Sequence, residues 1–302
     1  MTTPADLRAR LTRRAAIASV ASASVLLGLK AWAASATGSV AMLGSLADTA
    51  LDLFTSLVTL YAVWLAARPA DDDHRFGHGK AEAIAALMQT FVILGSAIVI
   101  GWRAVLQLGN TEVPRRAEVG IGVSLVAIAL TLALVAYQRH VVRATESVAI
   151  ATDQLHYQSD LLLNVAVLIA FALDILAGLH GSDAVFGLGI AVYLAIGAIM
   201  AARAATDMLM DREWPEAKRQ ALMQVIDRHP RVDGVHELRT RSSGVADFIQ
   251  FHIWLAPEMS VADAHDIVDE VEIDVAAAFP AAEILIHVDP LGHFDQPPAK
   301  RT

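Results

Sequence analysis

The chain has 302 residues, 55% of them hydrophobic and only 18% charged, with a mean hydropathy of +0.49 and a formal net charge of −9. That balance excludes an ordinary soluble domain and argues against a nucleic-acid partner, which calls for a basic face. There is no cysteine, so disulfides, thiolate metal sites and thiol catalysis are excluded as well.

Apolar runs predict six membrane spans, at about residues 14–36, 42–67, 83–108, 117–140, 148–178 and 184–209. Each is long enough for the roughly 20 residues that cross a hydrocarbon core. The first, "RRAAIASVASASVLLG" followed by "AWAASA", has the outline of a secretory signal. Lys30 separates its apolar run from the small-residue patch, and the segment leads straight into another span, so it is read as retained. Arg8, Arg10, Arg13 and Arg14 precede the first span. Arg68, Arg75 and Lys80 lie in the second connection, and Arg139 and Arg143 lie near the fourth. Opposite them stand only Arg115 and Arg116, so both termini are expected in the cytoplasm of a multi-pass protein.

The second span carries Asp48 and Asp52 within "GSLADTALDLFTSLVTLYAVWLAA". A carboxylate at mid-membrane costs about 2.5–3.5 kcal/mol on insertion scales, so two of them need a reason. Their i, i+4 spacing puts both on one helix face, about 40° apart. The fifth span repeats the spacing with His156 and Asp160 in "TDQLHYQSDLLLN". Two helices that each offer two ligands can close a tetrahedral site of three carboxylates and one imidazole. That set suits Zn²⁺ and also Fe²⁺, Mn²⁺ or Cd²⁺. Without thiolates such a site exchanges its ion readily, and protons can replace the metal on clustered carboxylates and His156. The chemistry expected is exchange of a divalent cation for protons.

Between the second and third spans, "RPADDDHRFGHGKAE" places Asp71, His74 and His78 at spacings suited to a hydrated metal site. The apolar pattern ends near Met210. Residues 211–302 then hold 17 acidic against 9 basic residues and six of the 11 histidines. Pro215 is placed to open a helix. A hairpin follows around Ser242, Ser243 and Gly244, then a second helix with a capping-box-like start at Ser260 and Asp263. A last strand, "AEILIHVDP", ends at Pro290. The order α-β-β-α-β is a small two-layer α+β domain. Its His236, His252, His265, His287 and Asp289 are candidate ligands, with His287 and Asp289 alternating onto one strand face. His140, His180, His229 and His293 are read as structural.

The expected division is a cytoplasmic segment over 1–13, a six-helix transmembrane bundle over 14–210, a cytoplasmic metal-binding dimerisation domain over 211–292, and a disordered tail over 293–302. "HELRT" at 236–240 approaches a zinc-protease motif but ends in Thr and reads as strand, so no enzyme is expected. A membrane metal sensor or metal-gated channel is the alternative to a carrier. "GLGIAV" near 187 is a packing feature of an apolar helix and not a nucleotide loop.

The stretches "SLADTALD", "PADDDHRFGHGKAEA", "LHYQSDLLLN", "HELRTRSSG", "FIQFHIWL" and "ILIHVDP" resemble, in order, those of the cation diffusion facilitator family, in its bacterial zinc/ferrous-iron efflux (YiiP-type) branch. The resemblance spans about residues 14–290. It implies a homodimer in the bacterial inner membrane, a metallochaperone-like cytoplasmic domain, and zinc export driven by protons. By matching motif it makes Asp48, Asp52, His156 and Asp160 the transport site and Asp71, His74 and His78 a loop site. It makes His236, His252, His265, His287 and Asp289 a two-metal cluster in which Asp289 can bridge. It also implies that Lys80 and Asp211 pair near the hinge. Asp48 stands where strictly zinc-selective relatives often have His, which leaves Fe²⁺ and Cd²⁺ open as transported ions.

Overall fold

The structure is a computed structural model that describes residues 4–37, 40–107, 118–177 and 182–293. Arg115, Arg116, His180 and the expected tail from residue 294 lie outside the described residues. The chain divides into two compact units, a helical one over Asp6–Asp207 and a mixed one that comprises Met1–Ala5 and Met208–Thr302.

The helical unit holds α1 (Pro4–Thr37), α2 (Val40–Ala66), α3 (Ala81–Gln107), α4 (Glu118–Thr145), α5 (Val148–Ala177) and α6 (Ser182–Leu209). Among the described residues, α1, α2, α3, α4 and α6 each contain a stretch long and apolar enough to cross a membrane. Helix α5 is 30 residues long and carries Asp153, His156 and Asp160. Large apolar side chains such as Trp102, Ile98 and Tyr61 face outward, as a lipid-facing surface requires. Helix α1 starts ten residues before the span expected from hydropathy, so the arginines at 8, 10, 13 and 14 are helical.

Small residues bring these helices close. A Cβ built on Gly187 of α6 would lie 3.3 Å from Ala104 of α3. One on Gly197 would lie 2.9 Å from Leu155 of α5, so a larger side chain there would displace that leucine. The GLGIAV segment therefore packs a helix, as its composition suggested.

Buried polar groups gather at one end of the bundle. Glu82, 1% exposed, accepts from Arg8 Nη1 at 3.0 Å and Nη2 at 3.3 Å and from Ser147 Oγ at 2.5 Å. Arg8 Nε donates to the carbonyl of Thr145 at 3.0 Å. These bonds tie together the starts of α1 and α3 and the tight α4–α5 connection, where Glu146 takes φ 51°.

Deeper in, the fully buried Asp153 accepts from Ser19 Oγ at 2.6 Å, Gln138 Nε2 at 2.7 Å and Gln89 Nε2 at 3.0 Å. Gln89 also donates to Thr59 at 2.7 Å, so α1, α3 and α4 meet α5 at one carboxylate and α2 joins them through Gln89. A buried carboxylate is tolerable when several donors satisfy it in this way.

The second unit is α7 (Glu216–Ile226), β1 (Gly234–Ser242), β2 (Asp247–Leu255), α8 (Val261–Ala278) and β3 (Ala282–Pro290). Strand β2 is central, antiparallel to β1 and parallel to β3. Ile249, Phe251, Ile253 and Leu255 alternate onto the face that packs against Leu222 and Ile226 of α7 and Ile267, Val271 and Val275 of α8. Ser260 caps α8, its Oγ accepting from Asp263 N at 3.1 Å. Pro215 stands at the N-cap position of α7. The fold class is the expected one: a membrane helical unit and a small αββαβ domain.

Candidate metal centres

In the bundle, α2 and α5 turn their polar stripes toward each other. His156 Nε2 lies 2.9 Å from Asp52 Oδ1 and 4.0 Å from Asp160 Oδ2. One ligand atom from each of these three residues lies within 4.8 Å of the others. His156 is buried and the two carboxylates are half-buried. Tyr157 supports the arrangement through a 2.8 Å bond with Ser56 Oγ and a 3.3 Å bond to the carbonyl of Ser19.

The three side chains open onto a cavity of about 620 Å³ that is lined by residues from five helices, Asp48 among them. Asp48 is the more exposed member of its pair and is not among the three clustered groups. The cavity walls come from residues 23–30, 45–52, 91–103, 127–131 and 156–164. The knot around Asp153 and the Arg8–Glu82–Ser147 bonds lie toward the opposite end of the same helices.

In the connection after α2, Asp71 Oδ1 accepts from the backbone N–H of His74 at 2.7 Å and of Asp73 at 3.2 Å. His74 Nδ1 stands 3.2 Å from Asp71 Oδ1, and His78 Nε2 stands 3.3 Å from Oδ2. Gly77, at φ 76°, supplies the left-handed turn that folds His78 back. The backbone N–H of His74 holds the Asp71 carboxyl below its ordinary range, slight burial opposes this, and the two imidazoles add to the lowering. Asp71 and His74 are exposed, whereas His78 has a buried Nδ1 with no hydrogen-bond partner. Lys80 caps the following helix, its carbonyl accepting from Ala83 at 3.1 Å and Ile84 at 3.2 Å.

In the second unit, strand register does the assembling. His236 pairs with His252 and His252 with His287, so three imidazoles stand abreast on the sheet face opposite the helices. Asp289, 3% exposed, lies two residues along from His287 on that face. Its Oδ2 bonds His252 Nδ1 at 2.8 Å and stands 3.1 Å from His236 Nε2, and its Oδ1 is 3.4 Å from His287 Nε2. Burial works against the Asp289 carboxylate, yet the bond to His252 and the neighbouring imidazoles hold it below the usual carboxylate range.

His236 is half-buried, and both its ring nitrogens are shut off from solvent without a hydrogen bond of good geometry, the orphaned set of ligand atoms that a metal ion satisfies. A bulge between His236 and Arg239, with Glu237 at φ 48°, re-aims this end of β1. His265 is exposed on α8 and stands 3.8 Å from Asp269. It is the one candidate of the five that is not brought to Asp289. Asp211, at φ 55°, is 3.2 Å from Arg241 Nη1.

Of the histidines read as structural, His229 bonds Glu270 at 3.0 Å, His293 offers its carbonyl to Trp254 Nε1, and His140 is exposed. Asp153, three residues before His156, is not among the residues that the i, i+4 spacing singles out. An ionisable residue inside an apolar span was the available signal.

Comparison with known proteins follows the same division. The profile of the cation efflux transmembrane domain matches residues 16–210, and that of the cytoplasmic domain of cation efflux proteins matches 214–291. The chain is 43% identical over 281 residues to the cation-efflux pump FieF of Salmonella typhimurium, covering 93% of each chain. It is equally similar to FieF of Klebsiella pneumoniae. Among solved structures, the metal-bound C-terminal domain of the CzcD transporter from Thermotoga maritima is 28% identical. It covers 27% of this chain and all of that one, with a TM-score of 0.26.

Proposed function

The chain belongs to the cation diffusion facilitator family, and from that premise we propose that it exports a divalent metal cation from the cytoplasm in exchange for protons, by alternating access. It is a transporter and not an enzyme. The observation that carries the reading is the convergence of Asp52, His156 and Asp160 on a cavity between helices, with Asp48 on its wall.

Three carboxylates and one imidazole leave a bound dication with a net charge of about −1 in its immediate shell. Removing the ion leaves clustered anions that favour protonation. Proton uptake and metal release are thereby coupled at one place. Zn²⁺ is the proposed cargo, and Fe²⁺ and Cd²⁺ fit the oxygen-rich set as well.

The arginine-bearing end of the bundle is assigned to the cytoplasm, which places both termini there and the protein in the bacterial inner membrane. In that orientation the cavity faces outward, and the Asp153 knot with the Arg8–Glu82–Ser147 bonds closes the cytoplasmic side. The inward-facing state then requires those bonds to part.

In the second unit, His236, His252 and Asp289 would hold one Zn²⁺, and Asp289 has a second oxygen for another ion beside His287. His265 is carried by α8, which packs on the other face of the sheet. Bringing His265 to such an ion takes a second copy, which supports a homodimer in which the partner subunit's His265 completes the cluster. These ions, and one at Asp71, His74 and His78, would stabilise the assembly or report cytoplasmic metal. Control of transport by them needs different affinity in the two states.

The test is zinc flux into liposomes carrying the full chain, with and without an opposing proton gradient. Saturable flux that follows the gradient and disappears in Asp52→Ala is expected. Binding without flux would instead make the chain a metal sensor, with the membrane carboxylates acting as a structural clamp.

A further inference from the structure

The cavity that holds the membrane ligands also holds a positive charge of its own. Lys30 of α1 is half-buried and lines the same walls as Asp48, Asp52, His156 and Asp160. An ammonium inside a span is costly, and near helix ends the usual escape is for the stem to carry it out to the headgroups. Lys30 is turned inward instead. Its Nζ donates to Thr49 Oγ1 at 2.6 Å, and Thr49 is 1% exposed.

Thr49 is built to receive it. Its hydroxyl proton goes to the carbonyl of Ser45 at 3.1 Å, which leaves the oxygen lone pair free for the ammonium. Thr49 follows Asp48 directly and lies three residues before Asp52, within the lining stripe of α2. The ammonium is thus parked on a neutral oxygen, on a flexible four-carbon stem, beside two carboxylates of the cargo site. Arg103 also lines the cavity but is exposed.

We propose that Lys30 is a tethered competitor for the transported dication. As the ion leaves toward the open side, the ammonium swings from Thr49 onto Asp48 and Asp52. An arriving ion drives it back to Thr49. This inference rests on the transport-site reading of Asp48, Asp52, His156 and Asp160. Lys30 touches neither membrane exit nor metal in this scheme and acts on affinity through the two carboxylates, so it is a positioning residue. Its effect is to weaken binding in the cavity-open state, where release must occur.

The scheme makes two variants move in opposite directions. Lys30→Met removes the competitor, so KM for Zn²⁺ should fall about tenfold while kcat falls because release slows. Thr49→Val keeps the shape of the buried side chain but removes the parking site. Lys30 then rests on the carboxylates, and KM should rise about threefold with little change in kcat. Lys30→Arg should stay near the parent chain.

The measurement is initial-rate Zn²⁺ flux of the full chain in proteoliposomes, with equilibrium Zn²⁺ binding in detergent for each variant. An unchanged or raised KM in Lys30→Met overturns the proposal, as does a shift of both variants in one direction, the mark of a packing role. If Lys30→Met does not assemble, Thr49→Val decides alone, and an unchanged KM there overturns it. Asp52→Ala separates the two readings. Flux retained in Asp52→Ala overturns the transport site and this proposal together. Flux lost in Asp52→Ala, with an unmoved KM in Lys30→Met, overturns this proposal only.

Discussion

The two units gather similar ligands by different geometry. In the bundle, two helices present carboxylates and one histidine at i, i+4 spacing beside an open cavity, where Asp52 and Asp160 are half-buried and Asp48 is exposed. In the second unit, three strands present histidines abreast around one carboxylate that is almost sealed from solvent. Helices can shift or rotate past one another with small changes at each contact, so a site shared between two of them can change shape in a cycle. A site spread over hydrogen-bonded strands cannot move without breaking its ladder. The difference argues for an exchangeable ion in the first place and a resident ion in the second.

The sharpest way to break this comparison is to remove one ligand from each unit. Asp52→Ala should lower zinc flux by at least about 100-fold, because it deletes a proposed direct ligand and even a supporting residue costs about 10–100-fold. The variant should still assemble, since Asp52 is half-buried beside a cavity; size-exclusion behaviour in detergent checks this.

Asp289→Ala should leave most of the flux and abolish the effect of zinc on the second unit. For the parent chain, zinc at 100 times its dissociation constant adds about 2.7 kcal/mol of stability. Hydrogen exchange over residues 211–292 should therefore slow on zinc addition in the parent and not in Asp289→Ala. A collapse of flux in this variant would mean that the resident site is part of the transport cycle.

Much of this was legible in sequence, for reasons particular to the residues. The i, i+4 pairs fixed which side chains share a face, and burial cost made charged residues inside apolar runs conspicuous. Alternation placed His287 and Asp289 together, and turn chemistry placed the hairpin at Gly244. Three things were hidden. The knot at Asp153 depends on five helices meeting, and no spacing within one helix states its neighbours. The abreast alignment of His236, His252 and His287 depends on strand register and on the bulge at Glu237. His265 shares a helix with Ile267, Val271 and Val275, whose core contacts carry it to the face away from Asp289.

A smaller effect separates intrinsic stability from metal. Ser260→Ala removes the cap of α8 and should cost about 1 kcal/mol. Exchange in residues 261–278 should rise equally with and without zinc, because the cap lies on the helix layer and the ligands lie on the opposite face of the sheet. If zinc masked the loss, the two layers would be coupled through the sheet, and the resident-ion argument would extend to the whole unit.

The smallest effect concerns pH on that same helix layer. Arg231 bonds the Glu270 carboxylate at 2.5 Å and His229 bonds it at 3.0 Å, and together they hold its carboxyl below the ordinary glutamate range. A carboxyl lowered in the folded state contributes stability that is present above its unfolded value, about 4.3, and is lost as pH falls through the lowered folded value. From pH 7 down to about 5, Glu270→Gln should therefore differ from the parent by a constant small amount. Below about pH 4 the difference should shrink, because the parent loses what the variant never had. Exchange in residues 261–278 of the zinc-free chain, followed from pH 7 to pH 3.5, reads this out. A difference that grew on acidification would mean that Glu270 favours its protonated form in the folded unit, opposite to what its bonds to Arg231 and His229 impose.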